Sequence, residues 1–236
     1  MLPPDLARRR HAIVLVHGAW VGEWSWAPIL PLLESSGRPV HALSLSGHGV
    51  RSHLSSPSIG LDDHVDDVVT HVETYDLTDI TLVGHSYGGR VITAAHARLA
   101  NRVARMVYID AHAPTAPDAG QSPERIAAAD AAGGFLPFTG YDPDPADVGG
   151  AAGMAWFLDR VRPQSFKTFC VPMTDTLPKS LPKAYVFCSG YGPSRFAHYA
   201  AGAEAAPDWE YHDLDTDHWP MFNRAADVAE IILGRY

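Results

Sequence analysis

The sequence predicts an α/β chain, a mostly parallel sheet with helices on both faces. Three observations carry this expectation. Short apolar runs rich in β-branched residues recur along the chain, and stretches with helical spacing separate most of them. One run ends in a glycine-flanked serine turn that leads directly into a helical stretch. At 236 residues and 46% hydrophobic composition the chain can bury a sizeable core, so one domain over 1–236 is expected.

The elements follow in order. Residues 12–16 form the first run, which ends at His17-Gly18-Ala19-Trp20, where the glycine allows a tight turn. Residues 40–45 form the second. A helix opens at Asp62, because Val65, Val68, Val69 and Val72 recur at the helical interval and Asp62 and Asp63 suit its positive end. The run 80–83 feeds Gly84-His85-Ser86-Tyr87-Gly88 and then a helical stretch over 90–100, and the run 106–109 stops at Asp110. Between about 113 and 183, Pro and Gly punctuate Ala-rich and aromatic pieces such as Phe135-Leu136-Pro137-Phe138, and strand signals vanish. A cap of a few short helices is expected there, over the carboxyl edge of the sheet where open α/β folds bind ligands. Runs at 184–188 and Glu210–Leu214 complete the sheet, and Ala225–Leu233 is a terminal helix.

A formal charge of -9, with no basic run longer than Arg8-Arg9-Arg10, argues against nucleic acid or an anionic membrane as the main partner. A small-molecule substrate is expected, and a homodimer stays open. Cys170 and Cys188 are too few for a secreted disulfide framework, and both read as structural. The apolar run after Arg10 stops at His17, too soon for an export signal, and no stretch is long enough to span a bilayer. The expected location is the cytoplasm.

The serine turn carries the chemistry. In a G-x-S-x-G elbow the serine sits at a strained strand-to-helix corner, its Oγ projects from the sheet, and the positive end of the following helix favours an oxyanion. Ser86 is the candidate nucleophile. His218 lies on the loop after the last strand, where serine hydrolases of this chain order keep their base. His212 is its rival, but it stands inside the strand. Asp110, at a strand end, is the candidate acid that would orient the imidazole. Asp213, Asp215 and Asp217 stay open as alternatives, as does a purely structural Asp110. The other usual acid station, Cys188-Ser189-Gly190-Tyr191-Gly192, carries no carboxylate. Backbone N–H groups of Ala19 and Tyr87 would form the oxyanion hole, while His17 and His85 read as loop-fixing residues. The histidines show no metal-binding spacing, and neither a metal nor another cofactor is expected.

Taken together, these residues resemble the α/β-hydrolase superfamily, and within it the compact, cap-bearing group of bacterial esterase-like proteins, plant methyl esterases and hydroxynitrile lyases. The likeness runs essentially end to end. It rests on His17-Gly18-Ala19-Trp20 with Trp24 and Trp26, on Gly47-His48-Gly49-Val50-Arg51-Ser52-His53-Leu54, on the turn from Gly84 to Gly89, on Val107-Tyr108-Ile109-Asp110 and on His218. The resemblance implies an acid after the penultimate strand in the plant enzymes, where this chain has Gly190-Tyr191, so the acid is expected to have moved to Asp110. It also implies a lysine beside the catalytic histidine and a threonine near the oxyanion region in the lyases. This chain has Trp219 and Gly18 there, which disfavours cyanohydrin cleavage.

The expected reaction is cofactor-free hydrolysis of a carboxylic ester or lactone of a small, fairly apolar molecule by Ser86, His218 and Asp110. Trp20, Trp24, Phe138, Trp156 and Trp219 are candidate walls of the substrate pocket. Two other readings are carried: a lyase, cyclase or isomerase of secondary metabolism with His218 as proton shuttle, and a non-enzymatic small-molecule binder on the same scaffold.

Overall fold

A computed structural model describes residues 10–117, 121–173 and 176–236; Arg8 and Arg9 lie outside them. The strands are β1 (Ile13–Val16), β2 (Val40–Leu43), β3 (Ile80–His85), β4 (Val103–Ile109), β5 (Phe135–Leu136), β6 (Gln164–Ser165), β7 (Lys183–Cys188) and β8 (Glu210–Leu214). The helices are α1 (Leu30–Glu34), α2 (Leu61–Thr74), α3 (Gly88–Leu99), α4 (Pro123–Ala131), α5 (Gly150–Arg160), α6 (Ala197–Ala205), α7 (Pro220–Asn223) and α8 (Ala225–Leu233). Six strands form one parallel sheet in the order β2-β1-β3-β4-β7-β8.

Burial on both faces follows from the continuous apolar runs. Every residue of β1 and β3 is buried, as a strand covered by helices on two sides requires. One core lies between the sheet and α2 and α3, with Val65, Val68, Val69 and Val72 against Leu82, Val91 and Ala95. The other joins the sheet to α8, with Leu15, Val83 and Val107 against Val228, Ile231 and Ile232. The valine stripe of α2 therefore faces the core as its spacing predicts. The helix begins at Leu61 rather than Asp62, and the Asp63 carboxylate accepts a bond of 2.7 Å from the Gly60 amide, satisfying a donor that the helix leaves unpaired.

Two sequence expectations need correction. The segment between β4 and β7 holds α4 and α5, but it is not free of strands: Phe135 and Leu136 pair antiparallel with Ser165 and Gln164. Two-residue strands carry no periodicity to read. Cys188 is buried, whereas Cys170 is exposed and so has no packing role of the kind expected. No helix among the described residues is long and apolar enough to cross a membrane.

Candidate active site

Because the sheet is parallel, all six strands end on one edge. Gly84 pairs with Tyr108 and His85 with Ile109, so Ser86 and Asp110 leave the sheet side by side. Ile109 pairs with Val186 and Cys188 with Leu214. The loops after β7 and β8, which carry Tyr191 and His218, reach the same edge.

Ser86 has φ +54°. A non-glycine residue in this left-handed region costs roughly 1–3 kcal/mol and persists only where its surroundings fix it. Here the Ser86 amide donates to Ile109 O at 3.1 Å, and Ser86 O accepts from the amides of Gly89 and His112, both at 3.2 Å. The turn also depends on close backbone approach. A Cβ on Gly88 would lie 2.5 Å from Val16 O, and one on Gly89 would lie 2.0 Å from His112 O, so no larger residue fits while the elbow keeps its shape.

His218 and Asp110 meet. His218 Nδ1 lies 2.6 Å from Asp110 Oδ2, and both residues are buried. Asp110 itself has φ +39°, a second strained corner, with its amide donating to Val186 O at 2.7 Å. Burial pushes the Asp110 carboxyl up to about 7, against the hydrogen bond from Tyr191 that lowers it. The other carboxylate oxygen, Oδ1, has no hydrogen-bond partner among the described residues. Burial, followed by the nearby charge of Arg195, pushes His218 down to about 3, so the imidazole is neutral at neutral pH. When Asp110 is ionised, Nδ1 carries the proton it donates and Nε2 is left as the acceptor that a general base needs. The rings of Phe196, parallel at 5.2 Å, and Tyr141, at 4.8 Å, hold the imidazole plane.

The usual acid station after β7 supplies a hydroxyl instead of a carboxylate. Tyr191 Oη donates to Asp110 Oδ2 at 2.5 Å and lies 3.0 Å from Ser194 Oγ. Sequence reasoning noted the missing carboxylate but not this contact. Its only signal was a phenol in the slot an acid would fill. Removing the hydroxyl in Tyr191→Phe takes away a bond that favours ionised Asp110, so the alkaline-rising limb of kcat/KM against pH should move upward, with a loss on the order of tenfold at pH 7. An unmoved limb would mean that Tyr191 only fills space.

Around this pair the histidines behave as fixed struts. His85 Nε2 donates to His218 O at 2.8 Å, its ring 4.6 Å from that of His218, so the residue preceding Ser86 anchors the loop that carries His218. His17 Nδ1 donates to Gly18 O at 2.7 Å and Nε2 accepts from the Leu45 amide at 3.1 Å. Burial pushes both down to about 3, in keeping with neutral loop-fixing rings. Of the alternative acids, Asp217 accepts from the Trp219 amide at 2.8 Å and caps that turn. His212 bonds Glu210 Oε1 at 2.9 Å on its own strand.

Ser86 Oγ makes no hydrogen bond among the described residues, so its side of the constellation is open; contacts of this kind often tighten only when substrate arrives. The amides of Ala19 and Tyr87 are likewise unengaged among the described residues, and both residues line the space beside Ser86 at the start of α3. That space is only about 10 Å³, close to the room that one water needs. Its other walls are Trp20, His112, Arg125, Tyr141, Phe169, Arg195 and Phe196, and it adjoins a cavity of about 230 Å³ that shares Trp20, Arg125, Tyr141 and Arg195. A substrate carbonyl reaches Ser86 only where these side chains give way.

Of the five expected pocket aromatics, Trp20 stands at this wall, its Nε1 donating to Leu136 O at 2.8 Å. Phe138 stands behind it, with ring centroids 5.8 Å apart. Trp219 packs between His85 and Phe157, behind His218. Trp24 and Trp156 pack edge-on against each other at 5.3 Å, away from Ser86, and the Trp156 ring is covered by Arg160. The expectation for these last two needs correction: α5 leaves Trp156 exposed, and Trp24, on the turn at 23–26, packs against it and Phe157 rather than beside Ser86, a direction that position in sequence does not fix. Tyr141, Phe169 and Phe196 take the wall positions instead.

The model of the alpha/beta hydrolase family matches residues 13–231. A carbendazim hydrolyzing esterase from Nocardioides sp. (strain SG-4G) is 31% identical over 232 residues, 92% of this chain and 96% of that protein. Methylesterase 2 from Arabidopsis thaliana is 32% identical over 109 residues, 45% of this chain and 41% of that protein. Among solved structures, an extracellular alpha/beta-hydrolase from a Paenibacillus species superposes with a TM-score of 0.73 at 20% identity, covering 95% of this chain and 98% of the other. The latter likeness is one of fold.

Proposed function

We propose that this chain, which belongs to the alpha/beta hydrolase family, hydrolyses a carboxylic ester or lactone of a small, fairly apolar molecule through Ser86, His218 and Asp110. The observation that carries this reading is the 2.6 Å contact between His218 Nδ1 and Asp110 Oδ2 on the sheet edge where Ser86 is held at φ +54°. Similarity to proteins named as an esterase and a methylesterase supports the same reaction class.

In the proposed sequence Ser86 Oγ attacks the carbonyl carbon while His218 Nε2 takes its proton, and the Ala19 and Tyr87 amides donate to the oxyanion. Collapse expels the alcohol, which leaves with the proton from His218. Water then gives a proton to His218 and adds to the acyl carbon, and the acid departs as Ser86 regains its hydrogen. Every proton in the cycle has a donor or acceptor within the chain. The walls of Trp20, Tyr141, Phe169 and Phe196 suit an apolar acyl or alcohol group.

An organophosphorus serine reagent tests the reading. One adduct per chain on Ser86, with ester turnover lost in parallel, is the expected result. No adduct, together with products whose summed mass equals that of the substrate with no water added, would favour the reading of His218 as the proton shuttle of a lyase, cyclase or isomerase.

A further inference from the structure

Many arginines of this chain are ion-paired, and others such as Arg38 and Arg162 donate to backbone carbonyls or a hydroxyl. Arg10, Arg51, Arg98, Arg102, Arg105, Arg160 and Arg224 each reach a carboxylate. Arg125 and Arg195 form no ion pair among the described residues, although acidic side chains outnumber basic ones 27 to 18. Both line the space beside Ser86, and both line the adjoining cavity of about 230 Å³. Rings set their positions: the Arg125 guanidinium lies 5.0 Å from the centre of Phe169, and that of Arg195 lies 5.4 Å from the centre of Tyr141.

Arg125 is half-buried and Arg195 is exposed; like charges that line one wall repel, and an anion between them removes that cost. Burial first, and the charge of Arg195 second, hold Arg125 below its ordinary value. Among the described residues Glu124 is the one carboxylate lining the outer cavity; it is exposed and engaged by its own amide and Ser122 at the start of α4. Between the arginines and Ser86 the walls are mostly aromatic, with Trp20 and Tyr141 common to both spaces and His112 beside Ser86.

We propose that Arg125 and Arg195 form a carboxylate-binding site within the substrate pocket, so that the preferred substrates are esters carrying a carboxylate at the far end of a short apolar spacer. Monoesters of dicarboxylic acids are the simplest members of that class. The proposal rests on Ser86 acting as an ester hydrolase, and it adds the charge that the substrate carries. A planar guanidinium pair matches a carboxylate in shape as well as in sign.

The test compares two methyl esters of equal length, monomethyl adipate and the methyl ester of the adipic half-amide, which differ at the far end by one charge. Wild type should favour the anionic ester in kcat/KM by on the order of tenfold at low ionic strength, with the preference shrinking as salt rises. In the double variant Arg125→Gln, Arg195→Gln the ratio should fall to about one, and Arg125→Lys, Arg195→Lys should recover part of it. A wild-type ratio at or below one, or a ratio that survives in the double glutamine variant, overturns the proposal. If wild type cleaves neither ester, the hydrolase reading is what has failed. Adipate titrated into both proteins by calorimetry then decides the site separately: heat with wild type that is lost in the double variant upholds it, and equal or absent binding overturns it.

Discussion

Ser86→Ala is expected to lower kcat for a short chromogenic ester by on the order of 10⁶, with the thermal transition close to that of wild type. The size follows from serine hydrolases in which loss of the nucleophile alone costs about as much as loss of the whole triad, because base and acid have nothing to activate once Oγ is gone. Stability should change little for a different reason. The strain at Ser86 resides in φ +54°, which alanine must also adopt, and the three backbone bonds that hold the turn involve no side-chain atom. A residual rate of roughly 10³–10⁴ over the uncatalysed reaction would measure what the Ala19 and Tyr87 amides contribute by themselves. If the variant keeps a tenth of wild-type turnover, the attacking group is something other than this serine.

Much of this site was legible in the sequence because it stands at strand ends. A parallel sheet puts every carboxyl terminus on one edge, so recognising the runs before Ser86 and Asp110, and the strand before His218, already placed the three on a common rim. Strand limits moved by a few residues: β4 begins at Val103 rather than Met106 and β3 runs on to His85 rather than stopping at Val83, while the ends at Ile109, Cys188 and Leu214 lie where the sequence puts them. What stayed hidden depends on tertiary placement. Arg125 and Arg195 lie 39 and 109 residues from Ser86 in sequence, and only the folding of α4 and of the loop before α6 brings them to the same wall. The hydroxyl of Tyr191 was invisible for a chemical reason, since a search for an acid passes over a phenol. Concavity alone points elsewhere: a larger cavity of about 510 Å³ lies against β2 and α2, lined by residues such as Ser44, Asp67 and His71 and by none of Ser86, Asp110 and His218.

The second large effect concerns the acid. Asp110→Asn should reduce kcat by about 10⁴ above pH 7, and the residual rate of the variant should be nearly independent of pH. The reasoning runs through the tautomer of His218. Ionised Asp110 can only accept, so it selects the form of His218 with the proton on Nδ1 and a free lone pair on Nε2, the form able to take the proton from Ser86. A protonated Asp110, or the amide of an asparagine, offers a hydrogen to Nδ1 and thereby drives the ring proton to Nε2, where it faces the serine as a donor. The base is then present but turned the wrong way. Because burial raises Asp110 to about 7, wild type should be in the unproductive arrangement at acid pH and should gain activity as pH rises through about 7; that midpoint belongs to the coupled Asp110 and His218 pair rather than to either residue. In the asparagine variant there is no carboxyl to ionise, so this limb disappears instead of shifting. Measuring kcat/KM across pH 5–9 for both proteins checks the argument. Should Asp110→Asn lose less than tenfold, or keep the wild-type limb, another carboxylate orients His218 and the 2.6 Å contact is structural.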